Sequence, residues 1–265
     1  MGKFFDAIPE FLFPWIKQQK MFWVATAPLG ADGHVNISPK GYEGSFHILN
    51  EKQVWYEDLT GSGVETISHL KENGRITIMF NAFEGPPRIC RLFGTGTVYE
   101  FGTPEYDTLL PAESRQPGSR SVIMVDVHKV GTSCGFSVPF FTFKAERPKL
   151  HNLLASKEKA DIEAAASCTP SELEKQPRQT NKGLKAYWNL ENLKSIDGLT
   201  GIEHAHESTV GFRRDSTESN WTVDERVAVK HEKNIFGELD KQLVVGLILG
   251  VVITMLYGCL RQLYF

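Results

Sequence analysis

The residues best suited to chemistry form a short turn, Thr60-Gly61-Ser62-Gly63, between an apolar segment and an amphipathic one. Glycines leave backbone N–H groups open, and the first turn of a helix points such groups outward with partial positive charge, which suits a phosphate group. Ser62, with Glu65 three residues later, fits a capping box, so the sequence predicts a helix that begins at this turn. A capped helix after a tight turn, without any ligand, is the alternative interpretation.

A lysine upstream of the turn is placed to contact an anion. Lys40 stands at the end of a strand-like run, between Pro39 and Gly41. Pro39 cannot donate to a strand ladder and keeps Ser38 extended, so the strand should end near the lysine. Downstream, Gly74 is expected to end the helix that follows the turn.

The elements that must position these residues are mostly strands. Segments that are apolar, or that alternate apolar with polar residues, predict strands. Such segments lie at residues 21–27, 34–41, 46–49, 53–58, 75–80, 88–98 and 121–130, and residues 111–120 between them are a polar loop. Helices are expected in an aromatic arm at 4–20, after the turn, and at 104–110, 150–166 and 186–193. The chain is therefore predicted to be mainly β, a small antiparallel barrel of about six strands with accessory helices.

Seven sequence motifs together resemble a known family. They are Asn36-Ile-Ser-Pro-Lys-Gly41, Asp58-Leu-Thr-Gly-Ser-Gly63, His69-Leu-Lys-Glu-Asn-Gly-Arg-Ile-Thr77, Phe83-Glu-Gly-Pro-Pro-Arg-Ile89, Arg91-Leu-Phe-Gly94, Ser133-Cys-Gly-Phe-Ser-Val-Pro139 and Asn192-Leu-Lys-Ser-Ile-Asp-Gly-Leu199. As a set they are similar to the pyridoxamine 5'-phosphate oxidase-like flavoproteins, which are FMN-binding split barrels, and within them to a branch that has no assigned reaction. The resemblance covers residues 1–202 and implies a six-stranded antiparallel split β-barrel.

The resemblance also implies where a cofactor would lie, with FMN at the interface of a homodimer. The turn would then hold the phosphate through hydroxyl and N–H groups, from Thr60, Gly61, Ser62 and Gly63. Lys40 would lie near the phosphate or the flavin ring, and Arg88 or Arg91 would add positive charge or cover the ring. These two arginines are three residues apart and point to opposite faces of a regular strand, so at most one should touch the cofactor. Ser38 and Asp58 would bond the ring edge or ribityl chain, although Asp58 could equally cap its turn.

The implied activity is that of an FMN-dependent oxidoreductase acting on an unidentified small molecule. The flavin would perform the redox step while the protein orients the substrate, so the sequence assigns no catalytic residue. The true oxidases of this family carry an Arg-Lys pair just after the glycine-serine turn, where this chain has Gly63-Val64-Glu65. They also carry a C-terminal Arg-x-His element, which has no counterpart here. Oxidation of a vitamin B6 phosphate is therefore not expected. A non-catalytic flavin- or partner-binding module is the alternative, and haem binding is a third possibility.

Composition excludes several other classes of function. The net charge is −3 and the pI is near 6.3, whereas nucleic-acid binding usually needs a basic face. The four cysteines show no CxxC spacing, which predicts neither a disulfide framework nor a metal site and suits a reducing compartment.

The C-terminal part of the chain predicts a membrane anchor. Residues 1–150 would form the barrel with its N-terminal arm, 151–202 a helical extension, 203–241 a flexible polar tether and 242–261 the anchor. The 18 residues from Leu243 to Leu260 carry no charge and would span about 27 Å as a helix. Because only five residues follow, we expect insertion after synthesis and a body left in the cytosol, on the endoplasmic reticulum rather than the mitochondrial outer membrane. A buried core helix is the alternative.

Overall fold

The described part of the chain is built on one antiparallel sheet. The computed structural model describes residues 2–167 and 180–214 and five positions between 245 and 253. Residues Met1–Trp221 belong to one compact unit and Thr222–Phe265 to a second. The strands are β1 (Lys3–Phe5), β2 (Met21–Thr26), β3 (Asn36–Gly41), β4 (Phe46–Ile48), β5 (Gln53–Leu59), β6 (Arg75–Asn81), β7 (Ile89–Glu100) and β8 (Ser119–Ser133). Their order is β3-β2-β6-β7-β8-β5-β4, with β1 also paired to β8.

The sheet curls on itself into a half-barrel of the split-barrel type. The rings of Phe22 on β2 and Phe46 on β4 are 5.1 Å apart, and Phe22 lies 5.4 Å from Tyr56 on β5. Since β2 and β4 stand near opposite ends of the strand order, these contacts require strong curvature. The predicted mainly β split-barrel architecture is confirmed. The sheet has eight strands rather than six. Seven of them lie at the predicted strand segments, and the eighth, β1, was missed because it is only three residues long and too short to show a pattern.

Two long strands form the middle of the sheet. β7 and β8 pair over most of their length, and their register shifts between Phe93 and Gly94, where a kinked strand is expected from the glycines. A side chain at Gly94 would approach the backbone oxygen of Asp126 to 2.6 Å, which explains why a glycine occupies this bend. The helix at Glu65–Asn73 packs against β7, where a Cβ on Gly96 would lie 2.8 Å from the Leu70 side chain.

The helices of residues 2–167 and 180–214 lie outside the sheet. They are α1 (Phe13–Gln18), α2 (Glu65–Asn73), α3 (Pro104–Leu109), α4 (Pro148–Ala166) and α5 (Leu184–Glu191), with a 3-10 helix at Glu10–Leu12. The predicted helical arm at 4–20 is wrong over its first residues, because β1 pairs with β8 there. Pairing with a remote strand decides the conformation of this stretch. The remaining arm still buries the apolar side chains of Ile8, Leu12 and Ile16.

Residues 203–212 pack on the body of the chain. The Glu100 carboxylate accepts hydrogen bonds from the backbone N–H groups of Glu203, His204 and Ala205. Further along, the ring of Phe212 stacks on that of Phe101 at 5.1 Å. The predicted flexible tether, 203–241, is therefore wrong over its first ten residues, because a buried carboxylate from a distant strand holds a segment with little apolar pattern of its own. The remainder, from 215, lies outside the described residues.

The predicted membrane anchor lies almost entirely outside the residues that the structure describes. Within residues 2–167 and 180–214, no helix is long and apolar enough to cross a membrane. Residues 242–261 lie outside the described residues apart from five positions, so the anchor stays a prediction.

Candidate functional site

A polar cavity lies where β3 and β5 end and α2 begins. Its volume is about 490 Å³, within the range of about 300–1,000 Å³ common for small-molecule sites. Six of the nine predicted site residues line it, namely Ser38, Lys40, Thr60, Gly61, Ser62 and Gly63. The two motifs that are 20 residues apart in the sequence are therefore adjacent in the fold.

Asp58 lies beneath the cavity rather than on its surface. The side chain is fully buried, and its oxygens accept from Lys40 Nζ at 2.6 Å and from Arg120 Nε at 2.8 Å. Burial raises the pKa of this carboxyl, but the charges of Arg120 and then Lys40 outweigh it and lower the pKa to about 2. Asp58 is thus ionised at neutral pH and committed to two cations. It is not among the residues that line the cavity, so its predicted direct bond to a cofactor is not supported.

Arg120 is a site residue that the sequence did not predict. It is the second residue of β8, where the sequence predicted the end of a polar loop, and only 4% of its side chain is exposed. Besides Asp58 it donates through Nη1 to the Gly63 carbonyl and to Asn192 Oδ1, both at 2.9 Å. Asn192 in turn donates to the Gly61 carbonyl at 3.0 Å. Asn192 opens one of the seven motifs above, which was the available signal for its importance.

The turn is held from behind by α5. The Thr60 hydroxyl donates to the Gly118 carbonyl at 2.6 Å and accepts from Trp188 Nε1 at 2.7 Å. Thr60 is 1% exposed, so this hydroxyl is fully used inside the protein and is not available to a phosphate. Ser62 is exposed, and Gly61 has open space where a side chain would stand. The turn can therefore offer a ligand its backbone groups and the Ser62 hydroxyl. The Thr60 hydroxyl, which was predicted to bind the phosphate, is not available.

The helix after the turn begins later than the capping pattern predicts. α2 starts at Glu65, and its N-cap residue is Val64, whose side chain cannot accept a hydrogen bond. The predicted Ser62 cap is wrong because the helix starts two residues further along than a Ser62 N-cap requires. The Glu65 side chain lies over the turn, where a Cβ on Gly63 would stand 2.3 Å from Glu65 Oε2. The predicted helix end is confirmed, since Gly74 has a φ of 71° and donates to a carbonyl in the last turn.

Ser38 presents a hydrogen-bond acceptor to the cavity. Its hydroxyl donates to Asn36 Oδ1 at 3.0 Å, and the Asn36 amide donates to Thr66 Oγ1 at 3.0 Å. A hydroxyl has one proton, so the free lone pairs of Ser38 remain for a ligand donor. Behind this network, Thr26 Oγ1 bonds His69 Nδ1 at 2.9 Å, and burial lowers the pKa of His69. The imidazole is therefore a neutral structural partner.

Arg88 and Arg91 lie away from this cavity. The Arg88 guanidinium stands 5.4 Å from the centre of the Trp15 ring, and Arg91 Nη1 donates to Ser133 Oγ at 3.4 Å. In the described part of one chain, neither arginine is among the lining residues. Their contact with a cofactor across a dimer interface stays a prediction.

A buried carboxyl, that of Glu57, also lines the cavity and has a raised pKa. Glu57 is 4% exposed, and its Oε1 accepts from the backbone N–H of Gln116 at 2.9 Å. Burial raises the pKa of Glu57 to about 7, against the lowering effect of that hydrogen bond and of Arg115. The cavity lining therefore combines the cations Lys40 and Arg120 with the acid Glu65, while the charge of Glu57 changes around neutral pH.

A curled antiparallel half-barrel with a polar cavity beside the start of a helix defines the class, a split-barrel protein. The family profile described as Pyridoxamine 5'-phosphate oxidase matches residues 8–134. The chain is 36% identical over 225 residues to the pyridoxamine 5'-phosphate oxidase family protein ustO of Aspergillus flavus, covering 83% of this chain and 86% of that protein. The chain therefore belongs to the pyridoxamine 5'-phosphate oxidase family.

Solved structures of smaller proteins are similar to about half of the chain. One is HupZ of Group A Streptococcus, with 26% identity and a TM-score of 0.38 over 46% of this chain and 91% of that one. Another is an FMN-binding protein from Syntrophomonas wolfei, with 12% identity and a TM-score of 0.32 over 45% of this chain and 80% of that one.

Proposed function

We propose that the chain is a flavin-dependent oxidoreductase that binds FMN in the cavity between β3, β5 and α2 and acts on a small molecule not yet identified. The observation that carries the proposal is the convergence on one cavity of Ser38, Lys40 and the Gly61-Ser62-Gly63 turn. Membership of the pyridoxamine 5'-phosphate oxidase family supports the choice of cofactor. Such a flavin would supply the redox chemistry, accepting and returning two electrons.

The available groups fit a ligand that has both an anionic part and a polar neutral part, as FMN has. An ammonium has three donors, and Lys40 uses one on Asp58, so two remain for a ligand. Asp58 offsets only one of the two positive charges beside it, which leaves the Lys40 side of the cavity attractive to an anion. Ser38 offers an acceptor to a ring or polyol donor, and Ser62 offers a hydroxyl. These groups would orient the cofactor, while the bonds behind the turn keep its backbone fixed.

The test is a titration of the purified full chain with FMN, followed by visible absorption and flavin fluorescence. We expect dissociation constants in the micromolar range or below, and about tenfold weaker binding for Ser38→Ala and for Lys40→Gln. Lys129→Ala, on the exposed side of β8, is the matched control and should bind like the parent chain. Anaerobic addition of a reduced nicotinamide cofactor or candidate substrates should then bleach the bound flavin.

Two results would contradict the proposal in different ways. A folded chain that does not bind FMN would refute the cofactor site and favour a binding module without redox activity. The Thr60 hydroxyl, which is bonded inside the protein, would then be one reason for the lack of binding. Flavin that binds equally well to the Ser38 and Lys40 variants would place it elsewhere in the molecule.

A further inference from the structure

The side chain of Glu65 occupies the part of the cavity where a helix start would attract an anion. Both carboxylate oxygens and Cδ lie within 3.4 Å of the place where a Cβ on Gly63 would stand, the nearest being Oε2 at 2.3 Å. Oε1 is also 3.4 Å from the backbone N–H of Ile196, which holds the side chain back toward the turn. The N-terminus of a helix stabilises a negative charge, and here the chain supplies that charge itself.

A phosphate at the turn would therefore meet a carboxylate. Glu65 and Gly63 both line the cavity, and so does Lys40, whose charge is partly offset by Asp58. Two like charges a few ångströms apart repel each other at any plausible effective dielectric constant. Two other charged residues line the cavity, Arg120, which is paired with Asp58, and Glu57, whose pKa burial raises to about 7. Most of the other lining residues are neutral, and hydroxyls such as those of Ser38 and Ser62 suit a ring edge and a polyol.

We propose that Glu65 is the specificity-determining residue of this cavity and discriminates against a phosphate at the turn. The site then recognises a flavin by its ring and ribityl chain, and takes riboflavin about as tightly as FMN. This inference rests on the proposed function, and it adds which part of the cofactor the chain recognises. Glu65→Gln keeps an oxygen for the Ile196 N–H while it removes the charge, so the variant isolates the electrostatic contribution.

The experiment compares FMN and riboflavin titrations of the full chain, its Glu65→Gln and Glu65→Ala variants, and Glu105→Gln. Glu105 is an exposed acid in the first turn of α3, so it controls for the loss of one helix-terminal charge away from the cavity. We expect the parent chain and the control to bind the two flavins within about threefold of each other. Both Glu65 variants should bind FMN about tenfold more tightly with riboflavin unchanged, and added salt should reduce this gain.

Several outcomes separate this inference from the function on which it rests. A parent chain that strongly prefers FMN, or Glu65 variants that leave the FMN to riboflavin ratio unchanged, would overturn the role of Glu65 while flavin binding stands. Glu65→Gln and Glu65→Ala should agree, and circular dichroism shows that each is folded. Failure of both flavins to bind any of the four proteins would overturn the proposed function and the inference together.

Discussion

Replacing Asp58 by Asn removes the one negative charge that two cations share. The Asp58 and Arg120 side chains are 0% and 4% exposed, and Lys40 is 20% exposed. The pKa of Asp58, lowered to about 2 from 3.8, corresponds to about 2 kcal/mol of net stabilisation by the carboxylate at neutral pH. The variant also leaves the Arg120 guanidinium buried without its counter-charge, which raises the expected loss to about 3–5 kcal/mol.

Urea unfolding at pH 7, followed by circular dichroism, measures this loss directly. Because the folded pKa is depressed, the stabilisation is present above the unfolded value of 3.8 and is lost as the pH falls toward 2. The unfolding free energies of the parent and of Asp58→Asn should therefore converge over that interval. Asp126→Asn is the matched control, since Asp126 is exposed on the same sheet, and it should cost less than about 0.5 kcal/mol.

The result separates two roles that the sequence left equally open for Asp58. Asn caps turns about as well as Asp, so a turn-capping role predicts a small loss, under about 1 kcal/mol, with no dependence on pH. Such a result would refute the reasoning that the carboxylate acts by holding Lys40 and Arg120 together under the cavity. A large loss that disappears in acid would support it.

Three further predictions concern other groups. Burial raises the pKa of Glu57 from 4.5 to about 7, so the free energy of unfolding of the parent chain should fall as the pH rises through that interval. For Glu57→Gln in urea at pH 8, the free energy of unfolding should be up to about 3 kcal/mol higher than that of the parent, and it should show no such fall with pH. Glu100→Gln weakens the charged contacts to Lys71 and to the N–H groups of residues 203–205, so it should cost about 2 kcal/mol and speed amide hydrogen exchange there. A chain without residues 243–265 should stay soluble in cell fractionation while the full chain pellets with membranes, and a truncated chain that still pellets would count against the anchor.

The strands that could be predicted are those long enough to show a pattern of apolar and polar residues. β7 alternates buried with more exposed side chains over residues 89–97, and β8 does so over residues 123–128. β1 was not predictable, because three residues carry no periodicity and its partners, such as Thr132 opposite Lys3, are far away in the sequence. The docked segment 203–212 was missed for a similar reason. Its contacts depend on a carboxylate about 100 residues upstream.

The candidate site was predictable only where it is local in sequence. Ser38, Lys40 and the glycine turn belong to two compact motifs, and each lines the cavity. Arg120 was missed because an arginine is expected at the surface, and its burial is intelligible only once Asp58 is known to face it. The sequence around Arg120, a polar loop before a strand, does not show that Asp58 will lie opposite the arginine. The Glu65 side chain likewise fitted a capping box in sequence, while its actual direction is set by packing around Gly63 and Ile196.

The predicted barrel, 1–150, and the predicted helical extension, 151–202, both contribute residues that hold the glycine turn of the site. Trp188 satisfies the Thr60 hydroxyl, and Asn192 bonds both Gly61 and Arg120. Thr60 and Arg120 are buried on the barrel side, and a buried polar group costs free energy when it is left without a partner. The extension therefore helps to set the conformation of the turn. Changes in α5 should alter the cavity even though none of its residues lines it.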